Sequence, residues 1–196
     1  MINSLIKGLR NTKLYFWDRL SVLRAGILGA NDGIISISGI VLGATGANLD
    51  SRSLLITGIS GMLAGACSMA GGEWISVSTQ RDLQVETMTS QASLKAKTID
   101  APQLHKKDLL MPLHAAGTSF LSFIMGALIP LLAITLSTPQ WRIFNTACLM
   151  GLALCLNAVF STLGNHISIG KTIIRNVLVG FLTIIITYIL GSVLSV

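Results

Sequence analysis

The chain has 196 residues, 52% of them hydrophobic and only 11% charged, with a mean hydropathy of +0.72. A soluble domain carries about 25% charged residues, so this composition excludes a fully water-facing surface and makes lipid the main solvent. The net charge of +6 is no nucleic-acid footprint, because the basic residues lie between apolar runs and form no stripe interleaved with aromatics.

Residues 1–24 form a basic, amphipathic segment. No short apolar core with a cleavage site follows it, so no removable signal peptide is expected. Five apolar runs come next, near 25–47, 54–78, 112–136, 142–163 and 172–195, each close to the roughly 20 residues a spanning helix needs. The first two are the richest in glycine, which is frequent in membrane helices and weakens soluble ones. The links 48–53 ("NLDSRS") and 137–141 ("STPQW") read as tight turns, and 79–111 is the only long hydrophilic stretch, read as a loop. No internal repeat divides the chain, so a transporter built from paired inverted halves finds no support. The expected fold is an all-α integral membrane protein of five transmembrane helices. Spans one and two occupy 25–78, and the remaining three lie within 112–196.

Orientation follows from where Lys and Arg fall. Lys7, Arg10, Lys13, Arg19 and Arg24 precede the first span, and Arg81, Lys95, Lys97, Lys106 and Lys107 lie in 79–111. Lys171 and Arg175 sit at the start of the fifth span, leaving only Arg52 and Arg142 for the other side. Twelve of the fourteen basic residues therefore share one side, which by the positive-inside rule is the cytoplasm. The N-terminus and the 79–111 loop are expected there, with the C-terminus outside or in a lumen.

Two acids fall within spans, Asp32 in the first and Glu73 in the second. A carboxylate at mid-bilayer costs about 2.5–3.5 kcal/mol on insertion scales, so either acid is a functional candidate by default. The plainer alternative is that it snorkels, or pairs with a base, merely to fix helix packing. Depth favours function. At 1.5 Å per residue, Asp32 lies roughly 10 Å inside the first span, Met69 roughly 12 Å and Glu73 roughly 6 Å from the matching end of the second. Met62, Ala66, Met69, Glu73, Ser76 and Gln80 form one helical stripe, and Asp32, Ser36, Gly39 and Gly43 form another. The GxxxG pairs Gly29–Gly33, Gly39–Gly43 and Gly61–Gly65 let these helices pack closely on a neighbour, within the chain or in another subunit.

Carboxylates alone suit hard ions such as Mg²⁺ or Ca²⁺, and a thioether adds softness. A lone methionine in a span is ordinarily packing filler. One turn from Glu73 and at the depth of Asp32, Met69 becomes a candidate third ligand for an intermediate metal such as Fe²⁺ or Mn²⁺.

"LRAGILGANDGIISISGIVLG" (23–43), "GMLAGACSMAGGEWISVSTQRDLQ" (61–84), "SFLSFIMGALIPLL" (119–132) and "GFLTIIITYILGSVL" (180–194) resemble the vacuolar iron transporter family, in particular its short nodulin-like branch. These motifs cover all but the fourth span, in order. The resemblance implies a homodimer that exports Fe²⁺ or Mn²⁺ from the cytosol against inward proton movement, with the ion path at the subunit interface. It places a metal-ligating role on Asp32 of "NDG" and Met69 of "CSMA", and makes Glu73 of "GE" a third ligand or proton acceptor. There are two departures. Gly61 stands where many members carry a glutamate. The 79–111 segment, with Asp82, Glu86, Asp100, Asp108 and His105, lacks the glutamate-rich metal-gathering pattern of better-known members. Mn²⁺ is therefore the first alternative to iron.

Other residues carry weaker signals. His114 follows Pro112 and reads as a helix-end residue. Ser119, Ser122 and Met125 are placed to line a path or to bond between helices. Cys67, Cys148 and Cys155 fall in apolar runs with neither disulfide nor zinc spacing, and buried cysteine acts as a small hydrophobe. Asn157 and Ser161 read as interhelical hydrogen bonders, and Gly180, Thr183, Thr187 and Gly191 as a packing face. No nucleophile elbow, HExxH or phosphate loop is present, so an enzyme is not expected, nor is any resident cofactor. The competing function class is a non-transporting membrane scaffold or assembly subunit. Short loops point to a bacterial plasma membrane, and in a eukaryote the resemblance points to the vacuolar membrane.

Overall fold

The computed structural model describes residues 2–95, 110–163 and 168–195, with side chains from residue 20 to residue 90 in the first stretch. Five helices follow one another: α1 (Ile2–Gly46), α2 (Ser51–Lys95), α3 (Pro112–Leu136), α4 (Arg142–Thr162) and α5 (Ile169–Leu194). The described residues contain no strand. Each helix holds a segment long and apolar enough to cross a membrane, and helices satisfy their backbone polar groups internally, as lipid demands. The chain is a multi-pass membrane protein.

The third span matches its expected bounds to the residue, and the fourth and fifth lie within three residues of theirs. The first two helices are longer than their apolar runs. α1 continues back through the basic segment to Ile2. α2 runs on to Lys95, through the first half of the stretch expected as a loop. The remainder of that stretch, 96–109, lies outside the described residues. The physical reason for the difference is plain. Polar residues mark where a helix leaves lipid, but only Gly, Pro or a competing cap ends it, and residues 74–95 contain neither Gly nor Pro. Thr79, Thr87 and Thr89 turn their hydroxyls back onto the carbonyls of Ile75, Leu83 and Val85. At 45 residues, each of these helices spans roughly 68 Å, twice the thickness of a hydrocarbon core.

Local chemistry sets the turns. Asn48 adopts φ 58° just past α1, a left-handed position that Asn tolerates better than most residues. The Leu49 N–H then bonds the Ala44 carbonyl at 3.2 Å. Asp50 opens α2 by accepting the Arg52 N–H at 3.1 Å. The Ser53 side chain, donating to the same carboxyl, holds Asp50 below its ordinary value of 3.8. Pro112 occupies the first turn of α3, where its missing N–H has no helical partner to lose.

α1 is the axis of the fold. It contacts all four other helices, which are wrapped around it in chain order, α2 on α3, α3 on α4 and α4 on α5. The arc does not close, because α2 and α5 make no contact among the described residues. Burial follows this plan: 56% of the most apolar window of α1 is buried, against 11% of that of α5. The tightest seam joins α1 to α3, where Gly29 lies against the Ser119 carbonyl, Gly33 against the Phe123 carbonyl and Gly126 against the Ala30 carbonyl. Small residues allow that approach, which lipid-phase packing rewards because there is no hydrophobic drive between helices. The Phe123 ring fills the space that Gly65 of α2 leaves, within a core that includes Ile34, Ile37, Val41, Leu54 and Leu131.

Candidate functional site

We call the end at which α1 enters the bundle, α2 leaves it and α3 begins the basic end. α1 and α2 are antiparallel, and their register is fixed at several heights. Gly61 faces Ile37 and Ile40, Gly58 faces Val41, and at the basic end Arg24 reaches Glu73. Pairs of this register place Met69 opposite the turn Gly29–Asp32. The expected match of depth between Asp32 and Met69 therefore holds, whereas Glu73 sits one turn closer to the basic end.

Asp32 is half-buried, and the Ser36 hydroxyl donates to its Oδ1 at 2.8 Å. The other carboxylate oxygen has no partner among the described residues. The direction of the side chain follows from what the rest of α1 touches. Gly26, Gly29 and Gly33 face α3, and Asn31 faces α4 through Asn157. The stripe through Leu28, Asp32 and Ser36 is what remains, and Leu28 is 43% exposed. This strip lies in the opening between α2 and α5. Farther from the basic end α5 covers the same face: a Cβ built on Gly39 would lie 3.0 Å from the Thr183 methyl, and one built on Gly43 3.0 Å from the Thr187 carbonyl. The polar stripe read from the sequence is thus open at Asp32 and Ser36 and sealed at its glycines.

On α2 the stripe divides in the same way. Met62, Ala66, Met69 and Glu73 are buried or half-buried, while Ser76 and Gln80 are exposed beyond the bundle. Met69 packs against the main apolar core. Glu73 is only 7% exposed and accepts a hydrogen bond from Arg24 Nη2 at 2.9 Å, the only salt bridge among the described residues. The chain brings Met69 to the level of Asp32 but does not gather three His, Cys, Asp or Glu side chains into one cluster among the described residues.

Of the weaker candidates, His114 is exposed at the start of α3 and lines an open groove of about 880 Å³ with Val22, Gly26, Thr118, Asn157 and Phe160. All three cysteines are free; Cys67 and Cys148 are exposed and Cys155 is half-buried, so none is a fully buried core residue in the single chain. Asn157 bonds between helices as expected, donating at 3.4 Å to the Ile27 carbonyl and to Asn31 Oδ1.

Two features escaped sequence reasoning. Arg24 counted there only as an orientation charge, yet it neutralises the most buried acid. The usable signal was depth, since Arg24 and Glu73 lie at the same edge of antiparallel neighbours. The other feature is Ser119, whose hydroxyl is fully buried and has no hydrogen-bond partner among the described residues. Nothing in a linear reading separates it from Ser122, which lies half-buried nearby.

Comparison with known proteins agrees with this architecture. The sequence model of the VIT family matches residues 23–103 and 85–192. "VIT-like transporter 1b" of Glycine max is 33% identical over 184 residues, covering 91% of this chain and 78% of that protein. "Vacuolar iron transporter homolog 4" of Arabidopsis thaliana is 34% identical over 180 residues, 91% of this chain and 87% of the relative. "Vacuolar iron transporter homolog 2.1" of the same plant is 33% identical over 178 residues, with coverage of 88% and 81%. With the match extending through all five helices, and with the "NDG" and "CSMA" segments placed at one depth on adjacent helices, this chain belongs to the VIT family.

Proposed function

We propose that the chain exports a divalent transition metal, Fe²⁺ or Mn²⁺, from the cytosol in exchange for protons, working as a homodimer whose second copy covers the strip between α2 and α5. One observation carries the reading. Asp32 holds a half-buried carboxylate within a membrane-spanning helix, has an oxygen with no partner among the described residues, and faces the one side of α1 that the other helices leave uncovered. A carboxylate placed there for packing alone would meet a base, and the base present, Arg24, is on Glu73. The relatives, named as vacuolar iron transporter homologs, support metal as cargo.

The chemistry follows from the ligands. A carboxylate binds a proton or a divalent cation, not both, so one site exposed alternately to two sides exchanges one for the other. The Met69 sulfur adds a soft donor, which favours Fe²⁺ over hard ions such as Mg²⁺. In a homodimer the two Asp32 stripes meet across the interface, and paired carboxylates supply the charge that one Asp lacks. The basic end faces the cytosol, and the α1–α5 packing at Gly39 and Gly43 closes the path toward the opposite side.

Purified protein in sealed liposomes tests the reading directly. Fe²⁺ or Mn²⁺ uptake should depend on an opposing pH gradient and should vanish in Asp32→Asn, with the variant still inserted and dimeric. Wild-type flux in Asp32→Asn removes Asp32 from the path. No flux of either metal in the wild-type protein, under any gradient, favours the scaffold reading.

A further inference from the structure

We propose that Arg24 is a resident cation at the basic end of the path, occupying Glu73 until an incoming divalent metal displaces it. This deepens the transport reading and rests on it.

Glu73 is 7% exposed, while the Arg24 side chain is 53% exposed. The pair is thus asymmetric, a buried acceptor gripped by a donor that stands largely in the open. Such a donor can swing away without the bundle opening, and the acid it leaves behind must then find another cation, since an unpaired buried carboxylate is strongly unfavourable. Among the described residues no other base pairs with it. Ala25 of α1, Val77 of α2, Leu110 just before α3 and Ala115 of α3 form the apolar cluster beside the pair.

What lies behind the pair is also telling. Ala115 packs with Ala25 and Val77, and the Phe123 ring packs against Gly65. Ser119 falls between them on the same face of α3, with its backbone against Gly29. That puts its buried, unpartnered hydroxyl one turn deeper than Glu73 and level with Met69. Buried hydroxyls normally find a partner. The Ser119 hydroxyl is, with those of Ser21 and Thr146 and the Arg142 Nε, one of the buried polar atoms without a partner among the described residues. Of these it is the one level with Met69, where a cation passing Glu73 toward Met69 and Asp32 would meet it.

If Arg24 competes with metal, the apparent affinity is reduced by the fraction of time Glu73 is free. A pair closed nine-tenths of the time lowers it about tenfold. The test is a titration of the purified full-length protein in nanodiscs with Co²⁺, whose visible absorption reports ligation independently of transport. Arg24→Gln should bind Co²⁺ about tenfold more tightly than wild type. The gain should disappear in the Arg24→Gln/Glu73→Gln double variant, which should match Glu73→Gln alone. Arg24→Lys keeps the charge but loses the forked donor, so it should fall between wild type and Arg24→Gln, and it carries the proposal if Arg24→Gln does not fold. Wild-type affinity in both Arg24 variants overturns the proposal while leaving the metal site standing. So does a gain that persists without Glu73. A folded wild-type protein that does not ligate Co²⁺ overturns the metal site and the competition together.

Discussion

Gly29 offers a sharp test of the α1–α3 seam because it has no side chain of its own and meets Ser119 through that residue's backbone. A Cβ built there lies 2.7 Å from the Ser119 carbonyl oxygen and 3.3 Å from the Ser119 Cα and Ser122 Cβ. Ordinary contact begins near 3.4 Å, so the backbone of α3 must retreat by about 0.7 Å. No flexible side-chain tip is available to yield instead. Overpacking of this kind costs about 1–3 kcal/mol. Because Asp32 is three residues along the same helix, the shift should also lower metal flux without removing a ligand. Gly117 is the internal control. It is exposed on α3, and a Cβ there meets nothing within 4 Å. Gly117→Ala should therefore gain the ordinary helix benefit of about 0.5–1 kcal/mol. Thermal unfolding in detergent, followed by circular dichroism, ranks the two variants against wild type. If Gly29→Ala unfolds at or above the wild-type temperature, or if Gly117→Ala loses as much as Gly29→Ala, the close approach of α1 and α3 is not what holds the bundle.

Further outcomes follow from the same contacts. Ser119→Ala removes a buried hydroxyl without a partner, so it should raise stability by about 1 kcal/mol while slowing Fe²⁺ uptake into liposomes; unchanged uptake would count against Ser119 as part of the path. Met69→Leu keeps the volume and loses the sulfur, and should reduce Fe²⁺ flux more than Mn²⁺ flux in the same vesicles, whereas equal losses would argue for packing alone. Asn157→Leu breaks the bonds to Ile27 and Asn31, and double-mutant measurements of such membrane hydrogen bonds predict a loss of about 0.6 kcal/mol, read from the same unfolding scan. Phe123→Ala empties the ring space between α1, α2 and α3 and should cost about 3–5 kcal/mol.

The spans were legible because lipid imposes a length and a composition together, and 112–136 could hardly be read otherwise. The bounds of α1 and α2 were not, since hydropathy changes at the membrane surface while the helix continues through Arg81, Asp82 and Glu86 without a breaker. The level of Asp32 and Met69 was legible for the same geometric reason as the spans: a constant rise per residue turns sequence distance into depth. Pairing is a different kind of fact. Arg24 and Glu73 are 49 residues apart, and whether an acid is free or neutralised depends on which faces of two helices meet. That is set by Gly61 against Ile37 and Gly58 against Val41, contacts no linear pattern records.

That distinction bears on how the acids divide their work. Had both carboxylates been free at one height, a single site of two acids and a sulfur would follow. The register instead staggers them by one to two turns, with the neutralised acid toward the basic end and the one without a base among the described residues deeper, on the open strip of α1. On the proposed path, a divalent ion entering from that end would meet Glu73 first, where a monovalent guanidinium is its competitor, and would reach Asp32 only after losing more of its water. Two acids in series, with unequal access and unequal partners, would then let the outer one screen for charge and the inner one hold the cargo. A cation of single charge would gain little by exchanging with Arg24, so the proposal assigns discrimination against Na⁺ and K⁺ to Glu73 and discrimination among divalent metals to Asp32 and Met69.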